Sequence, residues 1–125
     1  MAGITRTFVT QVKDDAGRVL GSATVSKTAD GEIEFDVTVP GSGNYQVDLP
    51  IDVSNCVAWY MVSDKIVTMT ENVGPDLTKV LAAGVTWFWH NDMGANPFTV
   101  DVIYLKFTKA DATDANVKGA FIVSA

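Results

Sequence analysis

The chain's one histidine, His90, stands two residues before Asp92 and directly after two tryptophans, in the stretch GVTWFWHNDMGANPF, residues 84–98. An imidazole and a carboxylate at that spacing are parts of a metal site, or of a general base with the acid that orients it. A zinc centre takes three or four protein ligands, and the sequence offers no second histidine and no cysteine pair to complete one. A Ser–His–Asp arrangement is open in composition only. No G-x-S-x-G elbow occurs, and Gly41–Ser42–Gly43 reads as a turn between two strands. The plainer reading of His90 is a strand-end imidazole, hydrogen-bonded to backbone where a loop begins. Cys56 precedes Val57, Ala58 and Trp59, the setting of a small buried hydrophobe. As a nucleophile it would depend on His90 alone.

Other residues suggest contact rather than catalysis. Glu32, Glu34 and Asp36 set three carboxylates at about 7 Å intervals along one face of an extended segment. Such a row reads as a solvated face that discourages edge pairing, as a docking patch for a basic partner, or as glycosidase-type or calcium-binding oxygens. The segment DATDAN, 111–116, lacks the glycine and terminal glutamate of a calcium loop and reads as a loop with Asx turns. Trp87 and Trp89, two apart, share a face that serves a core, a subunit interface or a sugar-stacking platform. Glu32, Glu34, Asp36, Trp87, Trp89, His90, Asp92 and Tyr104 are therefore the interface candidates. No catalytic, cofactor or metal residue is assigned, and no enzyme activity is expected.

The elements that position these groups are strands. In EIEFDVTV, Ile33, Phe35, Val37 and Val39 oppose Glu32, Glu34, Asp36 and Thr38, and YQVDLPIDV alternates in the same way. Period two over eight or nine residues marks half-buried strands. Pro50 cannot donate to a ladder, so its strand lies at a sheet edge or breaks there. Turn residues at 14–17, 29–32, 40–44, 63–64, 71–76 and 91–97 separate strands expected at 4–13, 18–27, 32–39, 45–53, 57–62, 65–71, 78–82, 85–89, 99–107 and 117–124. That predicts a single all-β domain over 1–125, an antiparallel β-sandwich or jelly roll of about ten short strands with no substantial helix. The expected core is Ile33, Phe35, Val37, Val47, Leu49, Ile51, Trp59, Ile103, Leu105 and Phe107. Apolar residues on both faces of 99–107 predict a strand covered on both sides, or one whose outer face meets another chain.

Composition narrows the partners. The formal net charge is −6 and the basic residues are scattered singly, which argues against nucleic acid and anionic membrane surfaces. The longest uncharged apolar run, VAWYMVS, is far short of a spanning helix. MAGITRTF has neither the charged nor the apolar region of a secretory signal, so a soluble, non-exported chain is expected.

Three longer phrases, WYMVSDKIVTMTEN, LAAGVTWFW and NPFTVDVIYLKFTKADATDANVKGAF, resemble a group of small all-β proteins of tailed-bacteriophage genomes and prophage-like regions. The matching positions are Val62–Ser63–Asp64 with Val67–Thr68, Leu81, Ala83–Gly84 and Trp87, Asn96–Pro97–Phe98, and Asp101–Val102. The resemblance runs from Trp59 onward, with a looser match over the acidic strand. It implies a virion structural protein assembled in the host cytoplasm, with capsid decoration (cement) as the first role. Its partners would be the major capsid protein or other virion proteins, while the apolar faces of 99–107, the aromatics at 87–89 and the acidic strand favour further copies of the chain, a trimer first. Neck, tail or fibre-associated roles and a carbohydrate-binding module are the alternatives. The resemblance brings no active site and no cofactor.

Overall fold

The structure is a computed structural model and describes residues 3–72 and 77–124. Among these residues ten strands form: β1 (Ile4–Lys13), β2 (Val19–Ala29), β3 (Gly31–Val39), β4 (Asn44–Ile51), β5 (Cys56–Ser63), β6 (Val67–Glu71), β7 (Leu77–Leu81), β8 (Trp87–His90), β9 (Val102–Thr108) and β10 (Ala115–Val123). Single 3-10 turns at Val53–Asn55 and Asn91–Met93 are the helical pieces. Part of the expected turn at 71–76, residues 73–76, lies outside the described residues.

Eight strands make two antiparallel four-stranded sheets, β3-β10-β5-β8 and β4-β9-β6-β7, while β1 and β2 pair only with each other. From β3 onward, successive strands lie in opposite sheets except for the β6–β7 pair. This is jelly-roll connectivity, and the fold is all-β as the alternation predicts. Between the sheets lie Phe35, Val39, Leu49, Ile51, Trp59, Met61, Met69, Leu105, Phe107, Val117 and Phe121, with Ile33, Val37 and Val47 packed at the rim. Gly119 makes that close packing possible. A Cβ there would stand 2.3 Å from the Tyr60 carbonyl oxygen and 2.9 Å from the Phe35 ring.

β4 lies at a sheet edge, and the register slips by one residue between Asp48 and Ile51, around Pro50. A residue without an N–H is absorbed there as a bulge.

Ile103 is a correction to the expected core, being 68% exposed. Val102 and Leu105 are both buried although three positions apart, so β9 changes phase between them. Asn72, in the left-handed region at φ 62, holds the irregularity open. Its Oδ1 accepts the N–H groups of Ile103 (2.8 Å) and Tyr104 (3.2 Å), and its Nδ2 donates to the Asp101 carbonyl at 3.0 Å. The strands covered on both faces are instead β5 and β10, where Ala58, Ala120 and Ile122 are buried on the side away from the sandwich core.

Candidate interaction surface

The tryptophan stretch builds core on one face and carries a cover on the other. Trp59 of β5 is fully buried, with Trp87 at 4.4 Å and Phe98 at 5.0 Å between ring centroids, both edge-on. Indoles placed so need partners for their N–H groups. Trp59 Nε1 donates to Asn96 Oδ1 at 2.9 Å, which also accepts the Phe98 N–H at 3.0 Å, and Trp89 Nε1 donates to the Gly94 carbonyl at 3.1 Å. The indole tips thereby pin the loop 91–98. Trp89 is buried and Trp87 half-buried in the same cluster, so they form no open sugar platform, and Trp59 is the most protected of the three.

On the opposite face of β8, Phe88 and His90 meet the β1–β2 ribbon. Phe8 stacks on Phe88 with centroids 5.5 Å apart and lies 5.4 Å from His90. Ala29 packs with Ala58 and Ile122 at the ribbon's root. Arg6 Nη2 donates to Glu32 Oε1 at 2.6 Å, and Lys27 Nζ pairs with Asp92 Oδ2 at 2.8 Å. These pairs place three interface candidates in new roles. Glu32, its side chain 5% exposed, lies under Arg6 instead of on an open acidic row. His90 is buried beneath Phe8, and Asp92 is exposed but tethered to the ribbon. Burial thus removes Glu32, Trp89 and His90 from any surface of the single chain.

Glu34 and Asp36 do face solvent, Asp36 accepting from Asn116 Nδ2 at 2.9 Å. Tyr104, half-buried, belongs to the other sheet, opposite Asp48. The eight candidates therefore do not converge on one surface. The electrostatics of the root are coupled: the hydrogen bond between Glu34 and Glu32, then their like charges, hold Glu34 above the usual carboxylate range. Desolvation, then the Glu32 charge, raises Tyr60, while the hydrogen bond to Lys27 holds Asp92 below its ordinary value.

Two other sequence candidates are structural. Asp111 accepts from Lys109 Nζ and from both the N–H and the hydroxyl of Thr113, which holds its carboxyl well below the usual range and closes DATDAN as an Asx-turn loop. Cys56 is buried, and desolvation pushes its thiol up to about 11, so little thiolate forms near neutrality. Among the described residues no group of three or more His, Cys, Asp or Glu side chains is placed to hold a metal ion.

The ribbon itself is the feature sequence reasoning missed. Beyond Phe8 and Val25, residues 9–24 are exposed except for a partly covered Asp14. Since Phe8 already lies over β8, the last strand of its sheet, this distal half stands beyond the sheet edge. Four of its residues, Val9, Val12, Val19 and Leu20, are large, apolar and exposed. The tip is well made: Asp14 Oδ1 accepts the Ala16 and Arg18 N–H groups at 3.0 and 2.9 Å, and Gly17 takes φ 85. The available signal was composition, because Thr5, Thr7, Thr24, Ser26 and Thr28 give this hairpin one face with little to bury.

Beside the arm's origin lies a groove of about 370 Å³ lined by Arg6, Phe8, Val9, Tyr60, Thr86 and Phe88. A smaller one of about 110 Å³, lined by Lys79, Val80, Val85, Thr86 and Trp87, continues it toward β7. Thr86 lines both, and Val80 and Val85 at the β7–β8 margin are exposed.

A jelly roll with a projecting arm is the class this architecture defines. No known family's sequence pattern matches the chain, and no curated protein matches it. A solved structure described as "Bacillus endospore appendages form a novel family of disulfide-linked pili" is similar over 76% of this chain and 87% of the other, at 13% identity and a TM-score of 0.45. A likeness at that level says nothing about activity or partners. No helix among the described residues is long and apolar enough to cross a membrane.

Proposed function

We propose that this chain is a non-catalytic structural subunit of a virion, with decoration of the head shell of a tailed phage as the first role. The phrase-level resemblance from Trp59 onward supports the virion setting. The observation that carries a subunit reading is the arm: residues 9–24 stand off the body with Val12 and Leu20 at 65% and 57% exposure. A two-stranded ribbon is at best marginally stable alone in water. Apolar side chains displayed on one are suited to burial against a neighbour. The exposed Glu34 and Asp36 give the same subunit an acidic patch for basic groups on a shell.

Purified protein added to head shells stripped of it should rebind, raise their resistance to heat by mass action on the assembled state, and release more readily at high salt. A protein that never associates with shells at any concentration would sink the decoration role.

A further inference from the structure

We infer that Met93 is a site of oxidation by peroxides, and that its sulfoxide holds the end of β8 more tightly than the thioether it replaces. The inference stands apart from the subunit reading, because it concerns the reaction of one side chain and not a partner.

Exposure singles the residue out. The chain has four methionines. Met61 and Met69 are fully buried in the sandwich core, whereas Met93 is 52% exposed in the turn Asn91–Met93. Met1 lies outside the described residues. The chain's one thiol, Cys56, is buried and pushed up to about 11 by desolvation, so it presents little thiolate to an oxidant. A peroxide arriving from solvent therefore meets the Met93 sulfur before that of Met61, Met69 or Cys56. The step is a two-electron oxygen transfer. A sulfur lone pair attacks one oxygen of hydrogen peroxide, and an S–O bond forms as the O–O bond breaks. The leaving hydroxide takes up the transferred oxygen's proton and departs as water, and the thioether has become a sulfoxide.

The local geometry gives that new oxygen a donor. β8 lies at a sheet edge with β5 on one side only, and the N–H of its last residue, His90, donates to Met93 Sδ at 3.4 Å. A thioether is a weak acceptor. Oxidation makes the group polar, and an oxygen takes a backbone N–H at about 2.9 Å. The oxygen fits once the sulfur draws back from the nitrogen, and a side chain half in solvent is free to do so. In a packed core the same change would disrupt its surroundings. At Met93 it meets an N–H already aimed at the sulfur.

The turn fastened in this way is a joint of the molecule. Its Asp92 holds Lys27 of the ribbon at 2.8 Å, and the Gly94 carbonyl just beyond it accepts Trp89 Nε1 at 3.1 Å. One oxygen on Met93 thus acts where the strand end, the indole cluster and the arm are tied together.

The test treats the whole chain with hydrogen peroxide, locates the added oxygen by peptide mass, and follows amide hydrogen exchange at His90. Met93 should gain its oxygen well ahead of Met61 and Met69. The His90 N–H of the oxidised protein should then exchange roughly two- to tenfold more slowly, the effect of gaining one ordinary hydrogen bond. Met93→Leu, which offers no acceptor, should exchange faster than wild type at His90 and be indifferent to peroxide there. Met93→Gln, which carries an oxygen at similar reach, should show the slow exchange without any oxidant. Oxygen that appears at Met61 or Met69 as early as at Met93 would overturn the site. Exchange at His90 that is unchanged or faster after oxidation would overturn the tightening, and so would a Met93→Gln protein that behaves like Met93→Leu.

Discussion

The jelly-roll body and the arm are both built from antiparallel strands, yet their surroundings differ. In β10, Ala115, Val117, Ala120, Phe121 and Ile122 are all buried, each between the two sheets or under the ribbon's root. In β1 and β2 the stretch from Val9 to Thr24 has its cross-strand hydrogen bonds and a capped turn, but no second layer. Layering, rather than strand formation, separates a self-sufficient unit from a dependent one. The body should therefore set the stability of the monomer, and the arm its association.

The largest effect expected from that difference is in the body's aromatic centre. Trp59→Ala removes a fully buried indole packed on Trp87 and Phe98 and leaves Asn96 without its indole donor. A loss of about 3–5 kcal/mol in denaturant unfolding is expected. A loss below about 1 kcal/mol would mean that the aromatic cluster is not what holds the sheets together.

The junction between the two regions comes next. Arg6→Ala strips the donor from Glu32, whose carboxylate is almost wholly covered. Leaving a buried acceptor unsatisfied costs about 1–3 kcal/mol, and the lower half of that range applies because Arg6 is partly exposed and screened. Double substitution with Glu32→Gln should recover part of the loss. No recovery would mean that Arg6 acts through packing and not through this pair.

Leu20→Asp at the arm tip should change the monomer's unfolding by less than about 0.5 kcal/mol, since nothing in the body touches it. A much larger loss would show that the arm folds back on its own body and would erase the comparison.

The strands were legible in the sequence because turn residues delimit them and the faces of β3 and β4 alternate, and all ten expected segments overlap a strand of the structure. Ile103 was misplaced because the phase change in β9 is imposed by Asn72, some thirty residues earlier, and alternation carries no trace of it. The arm escaped for a related reason. Alternation tells which face of a strand is less polar, not whether this chain or another supplies the cover. Glu32 looked equivalent to Glu34 and Asp36 for the same cause, since Arg6, which covers it, reaches it only through the fold.

The smallest effect tests how closely the arm's root and the acidic strand are coupled. Glu34 has its proton affinity raised, first by its hydrogen bond to Glu32 and then by that neighbour's charge. An acid whose folded value lies above its unfolded one favours folding when protonated, and that contribution is lost as pH rises through the folded value. Asp92, lowered by Lys27, runs the opposite way, so its contribution is present above the ordinary aspartate range and lost as pH falls through its depressed value. The two slopes oppose each other in acid, and only a variant separates them. Glu34→Gln mimics the protonated form and cannot acquire charge beside Glu32. Its melting temperature should match wild type near pH 4 and rise above it as pH is brought to about 7, since only the wild type then holds two carboxylates side by side. Melting curves of the two proteins that stay parallel across that range would show that Glu34 does not feel Glu32, and that the Arg6–Glu32 pair anchors the arm without its neighbour.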